Sequence, residues 1–235
     1  MKILVGSVYN QESLKWHKIQ SEFLKVNTHS EFDHIVFFHG IQDGFVQLDC
    51  DLTDARQQHA FGIGKILEKF EDSQEYTHCL IIDSDAFPIV KKWDYRLKKA
   101  MDDNFCSVAS PVRFENLDTF FHPCVVFFDR KAVPLDIGLK PIENLLGHKC
   151  EEVVVRPNCK TFPLLKTNVF SPHPVAAAVY YNMFYHHGFG SRSFFCRSMH
   201  VNNYYSDAIC PDILAKSLIS NPKSFISKLM GKKTI

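Results

Sequence analysis

The first third of the chain switches repeatedly between a strand-like and a helix-like pattern of apolar positions. Lys2 to Tyr9 is a short β-rich run, and Glu12 to Lys25 carries Leu14, Ile19, Phe23 and Leu24 among polar residues, the spacing of an imperfect amphipathic helix. Asp33 to His39 contains Ile-Val-Phe-Phe and closes at Gly40, which predicts a second strand, and Phe45 to Leu48 predicts a short third one. From Thr53, a residue type that caps helices, to about Glu71, the residues Ala60, Ile63, Ile66, Leu67 and Phe70 recur at helical spacing. Gly62 and Gly64 weaken that helix and permit close packing or the approach of a ligand. Tyr76 to Ile82 is then an almost continuous apolar run that stops at Asp83-Ser84-Asp85. Strands alternating with helices imply right-handed crossovers, so the expected fold class is α/β with a mainly parallel central sheet flanked by helices.

The second half is less regular. The pattern predicts a helix around Trp93 to Met101, strands near Ser107 to Pro111 and Val125 to Phe128, and a helix around Pro141 to Leu146. A further run, Val175 to Tyr185, leads into His186-His187-Gly188-Phe189-Gly190-Ser191-Arg192. No repeat or low-complexity linker divides the chain, which reads as one domain over residues 1–220 with a tail over 221–235. That tail holds Lys223, Lys228, Lys232 and Lys233 and no acid, interleaved with Phe225, Ile226, Leu229 and Met230. It reads either as a basic amphipathic helix lying peripherally on an anionic membrane or as a solvated tail.

Composition narrows the function classes. With 235 residues and 46% hydrophobic content the chain can build one sizeable core. Lys plus Arg is 27 against 26 for Asp plus Glu, so no general basic excess exists for binding nucleic acid. Twelve His and eight Cys raise the question of zinc. Cys50, Cys79, Cys106, Cys124, Cys150, Cys159, Cys196 and Cys210 answer it, because no two stand two to four residues apart as zinc knuckles and redox pairs require. Cys79 and Cys124 sit inside apolar runs, where a free thiol behaves as a small hydrophobe. Reduced cysteines, an N-terminal apolar stretch too short for a signal peptide and no run long enough to span a membrane together predict a cytoplasmic protein.

The chemistry concentrates in Leu80-Ile81-Ile82-Asp83-Ser84-Asp85-Ala86-Phe87-Pro88. A buried parallel strand delivers two carboxylates at its C-terminal end, where open α/β sheets place ligands. Two hard oxygen donors suit magnesium or manganese, and without a cation the adjacent charges repel. The plain alternative is a polar turn after a strand. The histidines of His186-His187-Gly188 are competent manganese ligands, and Arg192 is a charge-assisted partner for phosphate. Here the alternative is a glycine-rich surface turn with solvated histidines.

Taken together, LIIDSDAFPIVKKW and the late His-His-Gly element resemble the GT-A glycosyltransferases, in which an Asp-x-Asp motif ends a central strand and binds a divalent metal with a nucleotide-sugar diphosphate. The resemblance covers roughly residues 1 to 195 and implies a GT-A-like fold with Mn2+ or Mg2+ as cofactor. It implies that Asp85 ligates the metal directly and that Asp83 meets the ribose or the metal. His186 is then the late ligand, with His187 its competitor, and Arg192 the phosphate partner. Ser7, Tyr9, Asn10 and Ser84 are implied donor contacts, Tyr9 by stacking on the base and Ser7 or Asn10 by hydrogen bonding; a strand tyrosine also packs. Arg56 or His59 is placed to reach the diphosphate or donor sugar, and His122 to meet the donor sugar or the acceptor as a catalytic residue. Inverting members also need a carboxylate base, for which Glu115, Asp118 and Asp129 are the candidates, although no Glu-Asp or Asp-Asp pair marks one.

The expected activity is transfer of a sugar from a nucleoside diphosphate donor, UDP-linked by family habit, to a hydroxyl of a glycan or lipid-linked glycan. The competing readings are a nucleotidyltransferase or metal phosphohydrolase acting on nucleotide sugars, and a non-catalytic nucleotide-sugar-binding module.

Overall fold

The computed structural model describes residues 1–115, 118–143, 149–173, 176–188 and 209–231. The expected α/β pattern forms. Strands β1 (Lys2–Tyr9), β2 (Glu31–Phe38), β3 (Val46–Gln47) and β4 (His78–Ile82) pair in parallel in the order β3-β2-β1-β4. Their crossovers carry α1 (His17–Asn27) and α2 (Ala55–Asp72). The expected helix from Glu12 divides into a 3-10 turn, Gln11–Trp16, followed by α1, because Asn10 and Ser13 cap the turn reciprocally. The cap of α2 is Asp54 rather than Thr53; its carboxylate accepts from the Arg56 and Gln57 amides.

Beyond β4 the strands turn antiparallel. After β5 (Ala86–Pro88) and α3 (Trp93–Asp103) come β6 (Val108–Glu115), β7 (Asp118–Phe121) and β8 (Val125–Asp129), with β8 antiparallel between β4 and β6. β9 (Asp136–Glu143) and β10 (Lys149–Arg156) form a hairpin that continues the sheet through β7, and β11 (Thr161–Leu164) runs parallel to β6. The helix expected from Pro141 is therefore strand up to Glu143, and 144–146 lie outside the described residues. The reason is two-residue alternation: Ile137 and Leu139 pack with Val153 and Val155 in the core cluster that includes α2, while Ile142 and Val154 meet Phe120 on the other face.

The sheet is covered on both sides. Ile3, Val5, Leu80 and Ile82 pack with Trp93, Leu97 and Met101 of α3, and Leu4, Val8, Cys79 and Ile81 with Ile63, Ile66 and Phe70 of α2. Gly62 lets α2 settle against β1, since a Cβ there would lie 2.7 Å from Val8 Cγ2. A second, three-stranded antiparallel sheet of β12 (Ala178–Tyr180), β13 (Phe184–His186) and β5 lies beyond the end of β4 and meets α1. The C-terminal helices α4 (Pro211–Ser220) and α5 (Pro222–Leu229) contribute Leu214, Leu218 and Leu229 to the core on this side. Among the described residues no helix is long and apolar enough to cross a membrane.

Candidate metal centre

The end of β4 and the end of β13 make the site. Asp83 follows the last residue of β4, its amide donating to Cys124 O at 3.0 Å, and the Ala86 amide closes the turn onto Asp83 O at 2.9 Å. The antiparallel pairing of β13 with β5 sets His186 opposite Ala86, and the His187 amide donates to Asp85 O at 3.0 Å. Residues a hundred positions apart in sequence order thus become neighbours through strand register. His186 Nε2 lies 3.4 Å from Asp83 Oδ2 and 3.4 Å from Asp85 Oδ1. One donor atom from each of the three residues falls within 4.8 Å of the others.

The environment is largely buried and charged. Asp85 is 4% exposed and His186 3%. Burial pushes both carboxyl pKa values upward, but it is outweighed at Asp83 by the His59 charge and by hydrogen bonds from His186 and His59, which hold Asp83 well below the usual carboxylate range. At Asp85 burial and the neighbouring Asp83 charge both raise the pKa, and His186 brings it below its ordinary value. His59 Nε2 stands 3.1 Å from Asp83 Oδ1; burial opposes its imidazolium, yet Asp83, Asp85 and Glu152 raise its pKa.

Arg113 Nη2 approaches His186 Nδ1 at 3.3 Å from the other side. Burial disfavours an imidazolium at His186, but Cys124, Asp85 and Asp83 outweigh it and hold its pKa well above the ordinary imidazole value. Without a cation, Nε2 carries a proton toward the two carboxylates, and a cation held through Nε2 would take the place of that proton. Two carboxylates and an imidazole are a donor set that a divalent cation of the magnesium or manganese type fits, and such a cation would offset the repulsion between Asp83 and Asp85.

The other expected contacts separate into those the fold brings here and those it uses elsewhere. His59, from α2, joins the site through Asp83. His122 borders it, its ring centroid 6.1 Å from that of His186. Its Nδ1 accepts from the Cys124 amide at 3.1 Å, and burial with the Arg113 charge holds it neutral, well below the ordinary imidazole pKa. Its proton is then on Nε2, so this imidazole offers a hydrogen-bond donor rather than a general base.

His187 is turned away: Nδ1 lies 2.9 Å from Tyr185 Oη and Nε2 3.0 Å from Pro211 O, so both ring nitrogens are engaged in the core. Tyr9 is 1% exposed, with His17 and Phe45 against its ring and its hydroxyl 2.8 Å from Gln20 Oε1. It packs in this structure and presents no open face to a base. Ser7 is fully buried and donates to Gln20 Oε1. The Asn10 carboxamide oxygen caps the Ser13 amide, on the rim of a recess of about 390 Å³ that also holds His39 and Gln58. Ser84 is 4% exposed and engages through its main-chain carbonyl. Arg56 pairs with Glu152 at 3.5 Å.

Arg192 lies outside the described residues, as do the side chains of Glu115 and Asp118. Asp129 pairs with His78, at the opposite end of β4 from Asp83, and caps a 3-10 turn, so it is not a base for this site. Arg113 and Gln20 were missed. Their signals were a guanidinium inside the apolar stretch Pro111-Val-Arg-Phe and an amide on the core-facing side of α1 next to Ile19.

No family model matches the chain, and no curated protein matches it in sequence. Among solved structures, A197 from STIV aligns at 12% identity and a TM-score of 0.32 over 56% of this chain and 66% of that one. A glycosyltransferase involved in glycosylation of the major capsid of PBCV-1 aligns at 14% identity and a TM-score of 0.36 over 56% and 62%. S. aureus TarS, residues 1–349 with UDP-GlcNAc, aligns at 16% identity and a TM-score of 0.34 over 50% and 36%. The alignments span less than two thirds of each of these proteins, and at this level of similarity the functional argument rests on the site alone.

Proposed function

We propose that this protein is a metal-dependent glycosyltransferase of the GT-A type, transferring a sugar from a nucleoside diphosphate sugar, UDP-linked, to a hydroxyl of a glycan or lipid-linked glycan. The observation that carries the proposal is the meeting of Asp83, Asp85 and His186 at the C-terminal end of a buried parallel strand. In the reaction the acceptor oxygen bonds to the anomeric carbon, the bond from that carbon to the diphosphate oxygen breaks, the diphosphate leaves with the electron pair, and the proton of the acceptor hydroxyl passes to the departing diphosphate or to water. A divalent cation bound at this site, manganese or magnesium, supplies Lewis-acid stabilisation of that leaving group.

The chain's own residues prepare the site for this. Asp83 and Asp85 are kept ionised as oxygen donors, and His59 Nε2 stands 3.1 Å from Asp83 Oδ1 as a charge partner. Arg113 contributes a permanent positive charge behind His186, the kind of charge that stabilises a departing diphosphate. His122 offers Nε2–H to an oxygen of the sugar or acceptor.

Asp85→Asn tests the assignment. Donor turnover in the presence of Mn2+ should fall at least about a hundredfold, while the circular dichroism spectrum and melting temperature stay close to those of the parent. The products must be sugar and nucleoside diphosphate; release of nucleoside monophosphate or pyrophosphate would point instead to phosphohydrolase or nucleotidyltransferase chemistry. A thermal-shift panel of nucleotides and nucleotide sugars, each with manganese, magnesium or chelator, identifies the donor, because the preferred ligand stabilises the folded state by mass action.

A further inference from the structure

We infer that Gln20 is the positioning residue of the metal centre: its buried amide holds the Asp83–Ala86 turn in the conformation that brings both carboxylates to His186. This rests on the metal-site reading of Asp83, Asp85 and His186.

Gln20 lies on α1 and is fully buried, a costly place for a primary amide unless every polar atom is satisfied. All of its hydrogen-bonding capacity is used. Nε2 donates to Asp83 O at 2.7 Å and to Ala86 O at 2.8 Å, with Ser84 O at 3.4 Å, while Oε1 accepts from Tyr9 Oη at 2.8 Å and Ser7 Oγ at 3.1 Å. The amide's orientation follows from chemistry. Main-chain carbonyls only accept, so the NH2 group must face the turn and the oxygen must face the hydroxyls. Ser7 Oγ, having donated to Gln20, accepts from His34 Nε2 at 3.2 Å, which extends the network back into the sheet.

Main-chain bonds from Asp83 N to Cys124 O, Ala86 N to Asp83 O and His187 N to Asp85 O also hold the turn, and Gln20 adds a side-chain amide that ties its carbonyls to α1. β4 stops at Ile82 and β5 starts at Ala86, so the carbonyls of residues 83 and 84 fall outside both strand ladders. Gln20 supplies the side-chain donor that both ends of the turn share, and Tyr9 and Ser7 hold that donor in place. Ser7 and Tyr9, two of the residues that motif resemblance assigned to the nucleotide, thus stand one layer behind the carboxylate turn. Glutamate at position 20 would set an oxygen against two carbonyls, and methionine would leave both without their shared donor.

The test uses Mn2+ alone as the probe, titrated into the full chain and read by electron paramagnetic resonance of free Mn2+. Gln20→Met should raise the Mn2+ dissociation constant by about tenfold or more, the size typical of groups that hold metal ligands in place. Turnover should recover at high Mn2+, so that the metal KM rises while kcat at saturating metal stays within about threefold of the parent. An unchanged Mn2+ dissociation constant in a folded variant of lowered melting temperature would overturn the inference, since a purely structural role moves stability alone.

Should Gln20→Met not fold, Tyr9→Phe decides: it removes one of the two hydrogen bonds to Oε1 and should weaken Mn2+ two- to fivefold, and no change in that folded variant also overturns the inference. Asp85→Asn in the same titration separates the two layers. If it abolishes Mn2+ binding while Gln20→Met and Tyr9→Phe leave binding intact, only the role of Gln20 fails. If the parent shows no Mn2+ binding that Asp85→Asn removes, the metal-site reading fails and the inference with it.

Discussion

His34, His78 and His187 are held neutral by burial, each with its pKa pushed down to about 4. In the unfolded chain a histidine titrates near pH ~6.5. Between there and about 4 the unfolded state therefore binds protons that the folded state refuses, and each residue removes up to about 1.4 kcal/mol of stability per pH unit. His59 works in the opposite sense. Its raised pKa gives stability that is complete below its unfolded value and is lost as pH rises through its folded one. The metal-free protein should accordingly be most stable near pH ~6.5 and lose stability steeply toward about pH 4.5. Urea midpoints measured across that range check this, and a flat profile would contradict it. At this scale Asp83, Asp85 and a late histidine from the His186-His187 pair were legible in sequence because those side chains carry the chemistry themselves. The choice between His186 and His187 was not, since it depends on which of two adjacent residues on a strand faces the end of β4. Arg113 and Gln20 were hidden for the same reason: each acts through a neighbour that only folding supplies.

At the scale of elements, the helix spacing of Ala60 to Phe70 and the apolar run before Asp83 translated directly into α2 and β4, because an amphipathic period and a buried strand are local signatures. The packing between them and β1 is tighter than periodicity reveals. A methyl group added at Gly62 would meet both Val8 Cγ atoms, at 2.7 and 2.8 Å, and Leu48 Cδ1 at 3.1 Å. Gly62→Ala should therefore destabilise the protein by about 1–3 kcal/mol, despite the better helix propensity of alanine, whereas Gly64→Ala, whose added Cβ has no contact within 4 Å, should be neutral or stabilising. Urea unfolding of the two variants gives the comparison, and equal stabilities would refute the close-packing account. The segment from Pro141 shows the converse. Its apolar residues fit a helix locally, and the pairing with β10 made them strand.

For the whole molecule, the C-terminal helices decide how the second sheet is supported. The apolar side chains of the 221–235 tail that a membrane-lying helix would need are spent on the body: Leu229 is 2% exposed, Phe225, Ile226 and Met230 pack into the same cluster, and Phe225 meets the Tyr185 ring at 6.1 Å. Tyr185 immediately precedes His186. Deletion of residues 222–235 should cost about 3 kcal/mol or more of stability, the burial energy of a few apolar side chains, and lower Mn2+ affinity through the loosened β13. Urea unfolding and the Mn2+ titration measure both, and an unaltered midpoint would show the tail to be solvated. The near-zero net charge fits a protein that gathers its charges locally, with Asp83 and Asp85 facing His59 and His186, and Arg113 behind His186. Taken by itself, the sequence determined the α/β class, the parallel first half and the placement of two carboxylates at a strand end, because periodicity and a chain reversal after a buried strand are local properties. Tertiary structure alone decided the third donor, the guanidinium beside it and the amide beneath the turn. Those depend on the antiparallel register of β13 against β5 and on the packing of α1 against the turn, and neither is encoded in the spacing of residues along the chain.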